Sequence, residues 1–202
     1  LYSRTSRDDL RARVAEAVPD AGPAGRLVTS LRGRPVACRD MTDTANSAAD
    51  MLAVAIEEAQ AGLAEGGIPI GGALFGADGT LLGRGRNRRV QDGDPSMHAE
   101  TAAFRAAGRR RTYRGTTMVT TLSPCWYCSG LVRQFGITGL VVGEAATLTG
   151  GHDWLAAHGV AVTLLDDDRC KQLMTTFIER HPRLWFEDLG QDEPGDDLRR
   201  SP

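Results

Sequence analysis

The chain has 202 residues, 41% of them hydrophobic and 25% charged, with a formal net charge of −2. That length supports one good core with some excess at the ends, and the composition is that of an ordinary soluble globular protein. The near-neutral charge gives no pull toward nucleic acid or an anionic membrane, and no run of about eighteen apolar residues is present to span one.

Residues 1–41 are rich in Arg, Pro, Gly and Ala and carry little apolar periodicity. They read as a flexible N-terminal extension, with "VPDAGPAG" breaking a short helix and Met41 as the start of the folded part. The opening stretch has no apolar segment of signal type, so a cytoplasmic protein is expected. The four cysteines then read as reduced thiols, some of which bind metal, not as a disulfide scaffold. The polar tail 191–202 reads as loose.

Residues 42–190 read as one domain. Met51, Leu52, Val54, Ala55, Ile56, Ala59 and Leu63 recur at helical spacing, and Gly66-Gly67 ends the helix. "IPIGGALFGADGTLLGRGRN" reads as two strands joined at Asp78-Gly79. A helix follows over 97–107, then a β-branched strand in "TTMVTTLS". "CWYCSGLVRQFG" reads as a helix ending at Gly136. "GLVVGE" is short and apolar, as expected of a strand buried on both faces. A brief helix in "GGHDWLAAHG", the strand "VAVTLLD", the helix "DDRCKQLMTTFIERHP" and an aromatic-acidic segment "PRLWFEDLG" complete the domain. This order predicts an α/β fold, a three-layer α/β/α sandwich around a mixed sheet, with strands 139–143 and 160–165 able to run parallel.

His98 and Glu100 stand two apart at the start of the helix in "SMHAETAAFRAAG". Alone, such a pair is usually just a helix N-terminus with a favourable acid. "TLSPCWYCSG" changes that reading. Cys125 and Cys128 are three apart on a helix and share a face, Pro124 suits its entrance, and the helix N-terminus favours thiolates. Two thiolates and one imidazole neutralise Zn²⁺ and leave its fourth tetrahedral position open, the mark of a catalytic site. The metal would bring a water bound there to a pKa of about 7. Glu100 could reach that water and carry its proton to a leaving group. A redox pair or core cysteines are the competing readings. Cys38, in the extension, and Cys170, on an apolar helix face, read as bystanders. His152, His158 and His181 lack ligand spacing and are expected at the surface.

An HxE followed by PCxxC is the signature of zinc-dependent nucleobase deaminases. The chain resembles the cytidine deaminase superfamily and, within it, the fungal-type cytosine deaminases. "EGGIPIGG", "LGRGRN", "MHAE", "TTLSPCxxC", "VVGE", "DDDRCKQLM" and "WFEDLG" carry the likeness over about residues 42–190. It implies a five-stranded sheet and one zinc per chain on His98, Cys125 and Cys128, with Glu100 as proton shuttle. It further implies that Asn87 reads the base's carbonyl edge and Asp188 its amidine side. The Ser123 carbonyl and the Ala99 N–H would meet the base, and Ile70, Trp185 and Leu148 would pack on its ring. The implied reaction is hydrolytic deamination of cytosine to uracil and ammonia, in pyrimidine salvage, by a homodimer. Two departures leave other small cyclic amidines or purine bases open. Trp126-Tyr127 replaces a smaller, partly acidic pair, and Leu148 stands where the fungal enzymes place a Phe. Trp126 and Tyr127 fit either an interface or a pocket. A tRNA-editing reading rests on "GRGRNRR" and "RRRTYRG", runs more often found as a solvated face.

Overall fold

A computed structural model describes residues 46–190. The extension expected over 1–41, with Cys38, and the tail over 191–202 lie outside the described residues.

Helix α1 (Ala48–Ala64) opens with a capping box, in which Ser47 Oγ accepts from the Asp50 N–H and the Asp50 carboxylate accepts from the Ser47 N–H. Strands β1 (Gly71–Phe75) and β2 (Leu81–Arg86) form the expected hairpin. Its turn puts Gly79 at φ 79°, and Asp78 Oδ1 accepts from the Thr80 N–H at 3.0 Å. A one-turn helix, α2 (Arg89–Asp92), follows where no element was expected. Next come α3 (Ala99–Ala106), β3 (Thr117–Leu122), α4 (Trp126–Phe135), β4 (Gly139–Glu144), α5 (His152–Ala157), β5 (Ala161–Leu164) and α6 (Asp168–Arg180). The segment "PRLWFEDLG" forms α7 (Pro182–Asp188), with Pro182 at its first position, where no N–H is needed.

The five strands run in the order β2-β1-β3-β4-β5. β1 is antiparallel to β2 and β3, whereas β3, β4 and β5 are parallel. The sheet is therefore mixed and five-stranded, as expected. Strand alternation sends the core to both faces. Ala73, Phe75, Val119 and Val141 pack with Leu52, Ala55 and Ile56 of α1 and Cys170 of α6. Leu74, Met118, Leu140 and Val142 pack on the other face with Val132 of α4 and Leu155 of α5. A third cluster joins Ile68, Ile70, Ala99, Leu122, Met174, Phe177 and Trp185, and binds α7 to the body.

Two adjacent glycines let both helical layers approach β1. A side chain at Gly71 would run into the Ala55 carbonyl of α1, and one at Gly72 would meet the Ala99 carbonyl of α3. The close seat at Gly72 brings the start of α3 against the sheet, beside the C-terminal end of β3.

Candidate active site

Two helix N-termini meet at this end of the sheet. His98 is the N-cap of α3, with Ala99 and Glu100 its first two helical residues. Cys125 is the N-cap of α4, so Cys128 lies in the first turn and Cys125 just before it, not both within the helix. The imidazole nitrogen and the two sulfurs all lie within 4.8 Å of one another. Nδ1 of His98 faces Cys125 Sγ at 3.5 Å. Zn–S bonds of about 2.3 Å in a tetrahedron set donor atoms about 3.8 Å apart, so this donor set fits the metal.

The surrounding protein groups poise these side chains. Hydrogen bonding with the Cys128 thiol pulls Cys125 down to about 4 against its burial, with His98 contributing. The same contact and burial push Cys128 up. Burial opposes protonation of His98, yet the bond to Cys125 and the Asp188 carboxylate raise it to about 9. Glu100 is 4% exposed. Burial, then the Cys125 charge, hold its carboxyl above the usual range. Its nearest hydroxyl, Thr120 Oγ1, is 3.4 Å away and lies closer to the Leu122 carbonyl, at 3.0 Å.

A small cavity adjoins the cluster, lined by Ile70, Asn87, Ala99, Ser123, Leu148 and Asp188, together with Leu122, His98, Glu100 and Cys125. Its volume is about 20 Å³, room for roughly one water. Six of the seven residues expected around the base thus line one cavity. The seventh, Trp185, is buried behind it among Ile70, Leu122 and Leu148. Asn87 Oδ1 accepts the Arg89 N–H at 3.0 Å, which turns Nδ2 the other way, toward Asp188 Oδ1 at 3.4 Å. Asp188 Oδ1 also lies 4.0 Å from His98 Nε2, too far for a hydrogen bond but close enough for charge to act.

Three supporting groups were not foreseen. Arg89 donates to the Glu187 carbonyl at 2.8 Å and to Asp188 Oδ1 at 3.3 Å, fastening α7 over the cavity. His152, expected at the surface, is 7% exposed. Its Nδ1 meets Ser123 Oγ at 2.7 Å, and the same oxygen accepts the Gly150 N–H at 3.1 Å. Glu144, fully buried, accepts the Ala146 and Thr147 N–H groups at 2.7 and 2.9 Å. Together His152, Ser123 and Glu144 pin residues 145–151, the loop that carries Leu148. His158 and His181 are exposed, as expected. Cys170 is a buried bystander whose thiol burial pushes up to about 12.

The "GRGRNRR" arginines are not free for nucleic acid. Arg84 pairs with Glu57 and Glu58, Arg86 with Glu58 and Glu65, and Arg88 with Glu65 and Asp92. Arg89 is taken by α7.

Residues 45–144 match the family described as the cytidine and deoxycytidylate deaminase zinc-binding region. The chain is 40% identical over 142 residues to a cytosine deaminase of Candida albicans, covering 69% of this chain and 95% of that protein. It is 30% identical over 142 residues to a tRNA-specific adenosine deaminase of Haemophilus influenzae, covering 64% and 82% of the two chains. Among solved structures, it resembles one determined in complex with 2,6-diaminopurine, with a TM-score of 0.57 at 27% identity over 65% of this chain and 81% of that one. With the zinc donor set in place beside a buried carboxyl, and with these relatives, the chain belongs to the cytidine and deoxycytidylate deaminase family of zinc-dependent hydrolytic enzymes.

Proposed function

We propose that this enzyme deaminates a free pyrimidine base, cytosine, to uracil and ammonia. The observation that carries the reading is the size and roof of the cavity. Leu148 and Asp188 close it, Arg89 ties α7 down, and the space left holds about one water. A single ring can be accommodated by a modest movement of α7. A ring joined to ribose or to an RNA strand needs a larger opening of the same roof, which favours the bare ring. The likeness to the Candida albicans cytosine deaminase supports the same substrate.

His98, Cys125 and Cys128 would hold the zinc. When bound, it supplies a water acidified to a pKa of about 7 as the nucleophile. The side chains orient the base and move protons. Asn87 Nδ2 donates to the ring carbonyl, because Oδ1 is already committed to Arg89. Asp188 accepts from the amidine side. The Ser123 carbonyl receives the exocyclic amino group. Ala99, the first residue of α3, offers one of the N–H groups that a helix leaves unpaired. Ile70 and Leu148 sandwich the ring, and Trp185 backs Ile70. Glu100 takes a proton from the attacking water and gives it to the ring nitrogen, then carries the proton of the newly added hydroxyl to the amino group, so that the carbonyl forms as the C–N bond breaks and ammonia leaves. A carboxyl with a raised pKa suits that double role.

The exposed Trp126, Tyr127 and Trp154, on α4 and α5, support a homodimer through that face. The cytoplasm keeps thiol ligands reduced, which supports that compartment, and the likeness to a cytosine deaminase supports a place in pyrimidine salvage. Among the described residues, no helix is long and apolar enough to cross a membrane.

The test is ammonia release by zinc-loaded protein from cytosine, cytidine, adenine, guanine and creatinine. Turnover of cytosine with cytidine far slower is the expected result. Cytidine turned over as fast as cytosine, or a purine preferred, would overturn the size argument.

A further inference from the structure

A second cavity lies at the other end of α3 and α4. It has a volume of about 830 Å³, within the span of about 300–1,000 Å³ usual for small-molecule sites. Arg105 at the end of α3, Arg109, Arg110, Arg111 and Arg114 in the following loop, and Arg133 at the end of α4 line it, and no Asp or Glu does. Helix C-termini attract cations, which accounts for Arg105 and Arg133, one per helix. It does not account for the four in the loop.

Unlike the arginines of β2 and α2, these six form no ion pair among the described residues. Arg105 reaches only Met97 Sδ at 3.7 Å, and Asp78, Asp92 and Asp94 feel Arg110 and Arg105 only at longer range. The loop is not slack. Tyr113 Oη donates to the Gly108 carbonyl at 2.6 Å, Thr116 Oγ1 to the Tyr113 carbonyl at 2.6 Å, and the Gly115 N–H to Thr138 Oγ1 at 3.0 Å. Six like charges are thus held around one cavity, a repulsive arrangement that a multivalent anion relieves. One wall is aromatic. Phe104, Tyr113 and Phe135 pack in tilted and edge-on pairs at centroid separations of 4.5 to 5.9 Å, and Phe135 is 46% exposed.

We infer that this cleft is a binding site for a nucleoside polyphosphate, with its phosphates on the arginines and its base on the face of Phe135. Guanidinium forks match phosphate oxygens bidentately, and an exposed ring stacks on any base. A free nucleotide is favoured over a nucleic-acid strand because the charge is confined to one pocket. A strand needs a basic track, and the neighbouring arginines of β2 and α2 are already neutralised by carboxylates.

The test is calorimetric titration of the full, zinc-loaded chain with ATP, inorganic triphosphate, adenosine and a single-stranded oligonucleotide. ATP is expected to bind saturably, triphosphate more weakly and adenosine not at all. R110E/R111E, at exposed positions far from the zinc ligands, is expected to weaken ATP at least about tenfold while zinc content and deamination stay unchanged. Phe135→Ala is expected to weaken ATP several-fold and leave triphosphate unaffected. No saturable ATP binding, ATP binding indifferent to R110E/R111E, or an oligonucleotide bound more tightly than ATP would each overturn the assignment. None of these results depends on which base the zinc site deaminates.

Discussion

Arg89→Met should loosen the roof of the active site without touching the zinc ligands. Arg89 bridges the Glu187 carbonyl at 2.8 Å and the Asp188 carboxylate at 3.3 Å, with side chains 16% and 6% exposed at the ion pair. Its third contact, to the Glu187 carboxylate at 3.5 Å, is exposed and contributes little. One good charge-assisted hydrogen bond plus a long, partly buried ion pair is worth about 2 kcal/mol. Trp185 and the apolar cluster beneath still hold α7 in the variant, so the helix stays formed and docks less tightly. At 1.36 kcal/mol per decade, the open-to-closed ratio shifts about thirtyfold. Hydrogen exchange should show faster exchange across 182–189, and steady-state kinetics a KM raised by up to about thirtyfold, with kcat changed less. Arg89→Lys keeps the charge but loses the fork, and should fall between. If exchange across α7 and KM both match the parent, Arg89 is not a latch and the closed roof has another cause.

Glu100→Gln should keep zinc, measured by metal analysis, and lower turnover by about a thousandfold, within the range for a lost proton shuttle; retained activity would remove Glu100 from the mechanism. Cys125→Ser should lose both zinc and activity, and chelation of the parent protein should lower its Tm, because the metal binds the folded state. Cys170 supplies a pH test. Its folded pKa, about 12, lies above the ordinary 9.0. The thiol therefore contributes stability that is fully present below pH 9 and lost as pH rises toward 12. Denaturant midpoints should fall over that window, and Cys170→Ala should flatten the fall. Trp126→Arg should convert a dimer into a monomer in sedimentation velocity while the chain stays folded; a dimer that survives it would move the interface off this face.

The proposed zinc donors were legible in the sequence because each lies within a turn of a helix start, where spacing of one to three residues fixes geometry. The hairpin was legible for the same reason, since Asp78-Gly79 needs no distant partner. The seven residues expected around the base came through family likeness, not through any periodicity: Asn87 and Asp188 are 101 positions apart. Arg89 escaped notice because a run of arginines reads the same whether it faces water or carboxylates. Its partners on α7 lie 98 and 99 positions away. His152 carries no metal-ligand spacing, and its hydrogen bond to Ser123, 29 positions away, leaves no mark at the histidine itself. The available signal was the Gly150-Gly151 pair before it, which lets that loop lie against Pro124, with the Gly151 N–H on the Pro124 carbonyl at 2.8 Å.

The two cavities share a cause in the direction of two helices. Both α3 and α4 start at the zinc donors and end at the arginine cleft. At 1.5 Å per residue, their 8 and 10 residues separate the two ends by about 12 and 15 Å. Their positive ends favour the Cys125 thiolate and the Glu100 carboxylate, and their negative ends favour Arg105 and Arg133. The same alignment limits what a ligand in the cleft can do to the chemistry. Across about 15 Å of solvent-like medium, even the roughly four charges of a triphosphate act on a unit charge with only about 1 kcal/mol, and screening over a Debye length of about 8 Å cuts that several-fold. Nucleotide binding therefore should not retune the zinc site through its field. Any effect on turnover has to travel through packing, along Phe104 and Val132 into the sheet-facing cluster that both helices share, and would appear as a changed rate with unchanged pH dependence.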